Sequence, residues 1–119
     1  MATKPPKMLT LAEINAADDL RECVIDVPEW GGAVKLRGLT LGEVQDIQKA
    51  AMQGDEIDAT KVNLLTLAKA MVEPVLDESE MYVLAKRHAG VVLGLVLVVN
   101  DLTGAGPGEI EARLAAFRG

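Results

Sequence analysis

From Ala89 to Val99 the chain reads Ala-Gly-Val-Val-Leu-Gly-Leu-Val-Leu-Val-Val, without one polar side chain. A helix at the surface of a small domain normally keeps a polar face. A segment like this must therefore be enclosed by the rest of the fold or covered by another chain. His88 precedes it and Asn100 and Asp101 follow it, so the run stays well short of the roughly 20 residues a membrane-spanning helix requires. Its β-branched content also permits a strand, but Lys86 to Leu102 is long for a strand and carries no turn signal, which favours helix. Gly90 and Gly94 form a G-x-x-x-G spacing that lets two helices approach closely, within one subunit or between two. A domain of four or five short helices has little bulk to enclose this one completely. The expectation is thus a protein that binds other chains, with Val91, Leu95, Val98 and Leu102 on one helical face as candidate interface residues.

The rest of the composition narrows the partner. The length of 119 residues suits one domain. Half the residues are hydrophobic but only 3% are aromatic, so the core is built from aliphatic stripes and lacks the stacking aromatics of many nucleic-acid binders. A net charge of −6 argues further against nucleic acid, where affinity comes mostly from Lys and Arg on phosphates. Cys23 is the only cysteine, which leaves no internal disulfide and suits a reducing cytoplasm. Met1 to Lys7 is charged and bears prolines, and no apolar signal core follows. The expectation is a soluble protein with a loose tail over residues 1–8 and a single domain over 9–119.

Thr10-Leu-Ala-Glu13 is a capping-box pattern that starts a short helix, with Leu11 and Ile14 expected inward and Asp18 and Asp19 at its end. Cys23, Ile25 and Val27 then alternate with Glu22, Val24 and Asp26, and Val34 and Leu36 alternate again after Pro28-Glu-Trp-Gly-Gly32. Two such runs around a Gly-bearing turn predict a β-hairpin. A lone hairpin is marginal in water and must lean on helices or on another subunit. Thr40-Leu-Gly-Glu43 caps a second helix with Leu41, Val44, Ile47 and Ala51 at helical spacing, stopped by Gly54 and Asp55. A third helix is expected from Thr60 to Pro74, with Asn63, Thr66, Lys69 and Glu73 as its polar stripe and Leu64, Leu65, Ala68, Met71 and Val72 inward. Asp77-Glu-Ser-Glu80 reads as another helix start, placing Met81, Leu84 and His88 on one face. Gly104-Ala-Gly-Pro-Gly108 is a flexible joint. A last helix carries Ile110, Leu114 and Phe117 on one stripe. The fold class is α+β, mostly helical, with one N-terminal hairpin followed by four or five helices.

The chain offers little for chemistry. His88 is the only histidine and has no sequence partner for catalysis or metal binding. Cys23 falls on the inward face of a strand, beside Glu22 and Asp26, where a nucleophile would want positive charge. The acidic clusters at 18–19 and 77–80 lack the spacing of a calcium loop and suit helix caps. The glycines at 104–108 lack the Lys-Ser/Thr ending of a phosphate loop. The expectation is no enzyme, no cofactor, no metal and no catalytic residue. Trp30 at the hairpin tip is a fifth candidate interface residue, which either meets a partner or folds back over the helices.

Three stretches carry a family resemblance: Met8-Leu-Thr-Leu-Ala-Glu-Ile14, Ala17-Asp-Asp-Leu20, and Val27-Pro-Glu-Trp-Gly-Gly-Ala-Val-Lys-Leu-Arg-Gly-Leu-Thr40. They resemble the start of tail assembly chaperones of long-tailed bacteriophages and prophages, most specifically at Val27-Pro-Glu-Trp-Gly-Gly32. The apolar helix around Leu64 to Val72, Leu84-Ala-Lys86, and the apolar helix ending in Asp101-Leu-Thr-Gly104 are similar more weakly. Pro74-Val-Leu-Asp-Glu78 departs from the Gly-bearing, aromatic turn common there. The resemblance implies a non-catalytic protein of the host cytoplasm that binds the tape measure protein, keeps it soluble and promotes polymerisation of the tail tube. It implies contact with the major tail protein, homo-oligomers, and absence from the mature virion. The rival reading is a small structural virion protein of the tail or connector.

Overall fold

A computed structural model describes residues 5–119; Met1–Lys4 of the expected tail lie outside the described residues. Pro5 to Thr10 have no regular secondary structure and are exposed. The first helix, α1, spans Leu11–Ala16 and starts on the expected capping box: Thr10 Oγ1 accepts from the Glu13 amide at 3.2 Å, and Glu13 Oε1 accepts from the Thr10 amide at 3.1 Å. The expected inward placement of Leu11 and Ile14 is corrected, since they are 73% and 55% exposed. A capping box sets where a helix begins, and says nothing about whether the body reaches it; no residue of α1 is buried.

Strands β1 (Glu22–Val27) and β2 (Gly32–Arg37) form the expected antiparallel hairpin, with Cys23 opposite Leu36 and Ile25 opposite Val34. Between them Pro28–Trp30 makes a 3-10 turn that closes on Gly31, whose φ of +75° is a conformation that favours glycine. The alternation has its expected consequence: Val27, Val34 and Leu36 are buried and Ile25 packs against them.

Helix α2 spans Leu41–Ala51 and buries Ile47 and Ala51, while Leu41, at its first turn, is 72% exposed and does not join the expected stripe. A two-residue ribbon, β3 (Met52–Gln53) with β4 (Glu56–Ile57), turns through Gly54 and leads into α3 (Ala59–Ala70). Asp58 caps α3, accepting from the Lys61 amide at 3.1 Å. The third helix stops at Ala70, earlier than the sequence pattern suggests. Met71–Glu73 becomes strand β5 and pairs antiparallel with β2, so the sheet order is β1-β2-β5. Pro74 disfavours helix at the residue before it, and β2 offers an unpaired edge next to the chain. The hairpin is therefore supported within its own subunit.

The expected polar stripe of α3 is also corrected. Thr66 is buried, Asn63 and Lys69 are half-buried, and Leu64, Leu65, Leu67, Ala68 and Ala70 are buried around them. This helix, not the more apolar one, is the centre of the molecule, with α2 on one side and the 3-10 segment Met81–Lys86 on another. That segment is tighter than the α-helix expected there, and it buries Met81 and Leu84. Helix α4 spans Ala89–Thr103, and α5 spans Pro107–Arg118. The helix-rich α+β expectation holds, with the sheet larger by one strand.

The base of the hairpin grips the C-terminal end of α4. The Arg21 guanidinium donates to the Asp101 carbonyl at 2.7 Å, and the Gly38 amide donates to the Arg21 carbonyl at 2.9 Å. The Leu39 amide donates to Thr103 Oγ1 at 3.1 Å, and the Thr103 hydroxyl donates to the Val99 carbonyl at 2.8 Å. Gly38 lies so close to α4 that a Cβ there would stand 2.7 Å from the Leu102 carbonyl oxygen. A second tie joins β2, α2 and α3: Arg37 donates to both oxygens of Glu43 at 2.8 and 2.7 Å and to the Lys69 carbonyl at 3.1 Å. These contacts fix which face of α4 turns outward.

Candidate functional site

Helix α4 settles into the body along one side only. Val92, Leu95, Val96 and Val99 are buried, whereas Leu93 and Leu97 are 47% and 67% exposed. At 100° per residue, Leu93, Leu97 and Asn100 fall on one outer face, with Gly90, Gly94 and Asp101 along its flank. These are the exposed positions of the helix's length after its first residue. The outer face is thus leucine and glycine for most of its length and polar only at the C-terminal end. Gly94 has open space where a Cβ would stand, and a Cβ at Gly90 would meet only the His88 ring. The G-x-x-x-G pair therefore makes no close helix contact inside this subunit.

Each flank of this ridge is hollow. On the hairpin side a cleft of ≈ 340 Å³ is lined by Ile25, Val27, Val91, Gly94, Leu95 and Val98 together with the polar side chains Asp26, Glu29 and His88. On the other side an apolar groove of ≈ 500 Å³ lies among α2, α3 and α4. The five candidate interface residues distribute unequally over this surface. Val91 and Val98 are half-buried walls of the hairpin-side cleft, and Leu95 forms its floor and belongs to the core. Leu95 thus presents little to a partner outside the cleft. Trp30 and Leu102 are half-buried and pack against the core, so Trp30 follows the reading in which it folds back.

Leu93 and Leu97 are the surface residues that sequence reasoning missed. Inside an unbroken apolar run every position looks alike, so its periodicity carries no phase. The phase was present just beyond it: Asn100 falls one turn after Leu97, which falls one turn after Leu93.

His88 does not share a face with Met81 and Leu84 as expected. It is exposed and caps α4, with Nδ1 accepting from the Val91 amide at 3.4 Å. Cys23 is half-buried on the inner side of β1. Asp77 closes the turn ahead of the 3-10 segment rather than capping a helix: it accepts from the Ser79 hydroxyl at 2.6 Å and the Glu80 amide at 2.9 Å, and the N-cap itself is Glu80, without a side-chain cap. The first of these contacts leads in holding its carboxyl below the usual range. Among the described residues, no three His, Cys, Asp or Glu side chains are grouped to hold a metal ion.

Taken together across Gly104, Ala89–Arg118 has the length and apolarity of a membrane span. The left-handed Gly104 and the N-terminal Pro107 divide it into α4 and α5. Helix α4 alone is 15 residues, about 22 Å at the α-helical rise, against a hydrocarbon core of about 30 Å. The fold and surface together define a small helix-rich α+β chain with an uncovered apolar helix face. No protein-family model, curated protein or solved structure matches the chain.

Proposed function

We propose that this protein is a non-catalytic tail assembly chaperone of a long-tailed phage or prophage, holding the tape measure protein soluble in the host cytoplasm while the tail tube polymerises. The observation that carries this reading is the outer face of α4: an apolar face of leucines and glycines, open to solvent and flanked by a cleft. An amphipathic client helix laid along such a face is a recurring recognition mode, read by anchors at helical spacing. Gly90 and Gly94 admit its backbone closely, Leu93 and Leu97 meet its apolar stripe, and the cleft beside Val91 and Val98 takes its larger side chains. The family resemblance at Val27 to Gly32 supplies the client's identity; the exposed face supplies a physical means of binding it. The acidic surface helps keep a hydrophobic client in solution. Contact with the major tail protein and absence from the finished particle follow from the same reading.

Co-expression with the tape measure protein encoded beside it is the test. The expected result is a complex and a rise in the client's soluble fraction. No complex and no gain in solubility would overturn the proposal. Detection of the protein in purified particles would replace it with the rival reading, a structural component of the tail or connector.

A further inference from the structure

The larger groove and the last helix pose one problem between them. The groove's apolar wall is Val44 and Ile47 from α2, Val62 from α3 and Leu97 from α4, and the charged side chains lining it are Asp101 and Glu109. Helix α5 begins at its rim, where Ala105 and Gly106 also line it, and then leaves the body: every residue from Pro107 to Gly119 is exposed. Yet α5 carries an apolar stripe, with Ile110, Leu114 and Phe117 at 56%, 45% and 82% exposure. At 100° per residue, Arg113 and Arg118 flank that stripe on its two sides. A 12-residue helix with nothing buried is marginal in water.

We propose that α5 docks into this groove of a second copy of the chain, and that two copies exchange their last helices reciprocally. Helix α5 leaves its own groove at the rim: after Gly104, the left-handed C-cap of α4, and Gly106, the N-cap of α5, only Glu109 of α5 lines the groove. The stripe of Ile110, Leu114 and Phe117 is thus left open to a groove on another molecule. A two-fold arrangement fills both grooves and covers both stripes at once, leaving no open end. Charge favours the same pairing, because the groove's charged side chains are the carboxylates Asp101 and Glu109 and the stripe is edged by Arg113 and Arg118. The groove shares Leu97 with the outer face of α4 but none of the residues lining the hairpin-side cleft, and the inference rests on α5 and the groove rather than on the client proposed above.

Sedimentation of the purified full-length chain over a hundredfold concentration range tests it without any client. The expected result is a reversible dimer. Phe117→Asp, at an exposed position, weakens it by about tenfold or more, while at concentrations where both proteins are monomeric its thermal transition matches the wild type's. Asp101→Lys on the groove rim and Arg118→Glu on the helix each weaken it, and the two together recover part of the loss. A monomer throughout the range would overturn the proposal, as would a dimer indifferent to Phe117→Asp. Failure of the paired charge reversal to recover any affinity would exclude the groove as the docking site.

Discussion

An alanine at position 38 would drive its Cβ against the Leu102 carbonyl, a backbone atom that cannot rotate away. The contact matters because Gly38, Arg21, Leu39 and Thr103 together set the rotation of α4 against the hairpin. Gly38→Ala should lower the free energy of unfolding by about 1–3 kcal/mol in urea titration; unchanged stability would mean that α4 can withdraw at no cost. Glu43 makes a second residue-scale prediction. The paired guanidinium of Arg37, opposed by partial burial and aided by the Thr40 amide, pulls the Glu43 pKa to about 2. Since the folded value lies below the unfolded one, the pair stabilises the protein above the ordinary carboxylate range and loses that contribution as pH falls from about 4.5 toward 2. Solvent screening of this partly exposed pair reduces the contribution to about 1 kcal/mol. Glu43→Gln should lose that amount at pH 7, and its unfolding curve should converge on the wild type's near pH 2. A constant difference across that window would show that the ion pair is not the source.

At the scale of elements, α4 has to be two things, and its two faces answer to different measurements. Leu95→Ala removes a core side chain and should cost about 2–5 kcal/mol of stability. Gly94→Ala adds a methyl to open space in a helix interior, so it should raise stability by about 0.5–1 kcal/mol. If a client helix packs against Gly90 and Gly94, the same change should lower client capture, and the opposite signs of the two effects are the signature. Equal capture by Gly94→Ala would show that no close helix contact forms there. The elements differ in how far the sequence foretold them. The hairpin was legible because period-two alternation and a Gly-bearing turn act locally, and both capping boxes marked helix starts for the same reason. Strand β5 was not, because its pairing with β2 is a contact between residues far apart in sequence. That α4 would not be fully enclosed was legible in the small size of the domain. Local pattern could not show that α3 would be the enclosed helix, because depth is decided by which neighbours surround an element. The face of α4 was recoverable in part, through Asn100, but Val91, Leu95, Val98 and Leu102 trace its inner side and Leu93 and Leu97 its outer one.

As a whole molecule the chain is more extended than its length requires. The radius of gyration is 17.3 Å, against about 13.5 Å for a compact domain of this size. Helices α1 and α5 bury no residue, and both hold apolar side chains away from the body, as α4 does on its outer face. Three such surfaces stand open on a chain of net charge −6, and under the proposed function they are where other chains dock. The proposal that its partners are protein chains rests on the surplus of aliphatic residues and the exposed face of α4; the partner's identity rests on the resemblance alone. The most direct measurement is co-purification of the neighbouring tape measure protein with the wild type and with a Leu93→Asp variant. Leu93 is exposed and lies outside the groove proposed for α5, so the variant's thermal transition and self-association should stay close to the wild type's. The account predicts that the wild type retains the client in soluble complex and the variant loses it by about tenfold or more. Equal recovery of client by a folded variant, or recovery by neither protein, would contradict it.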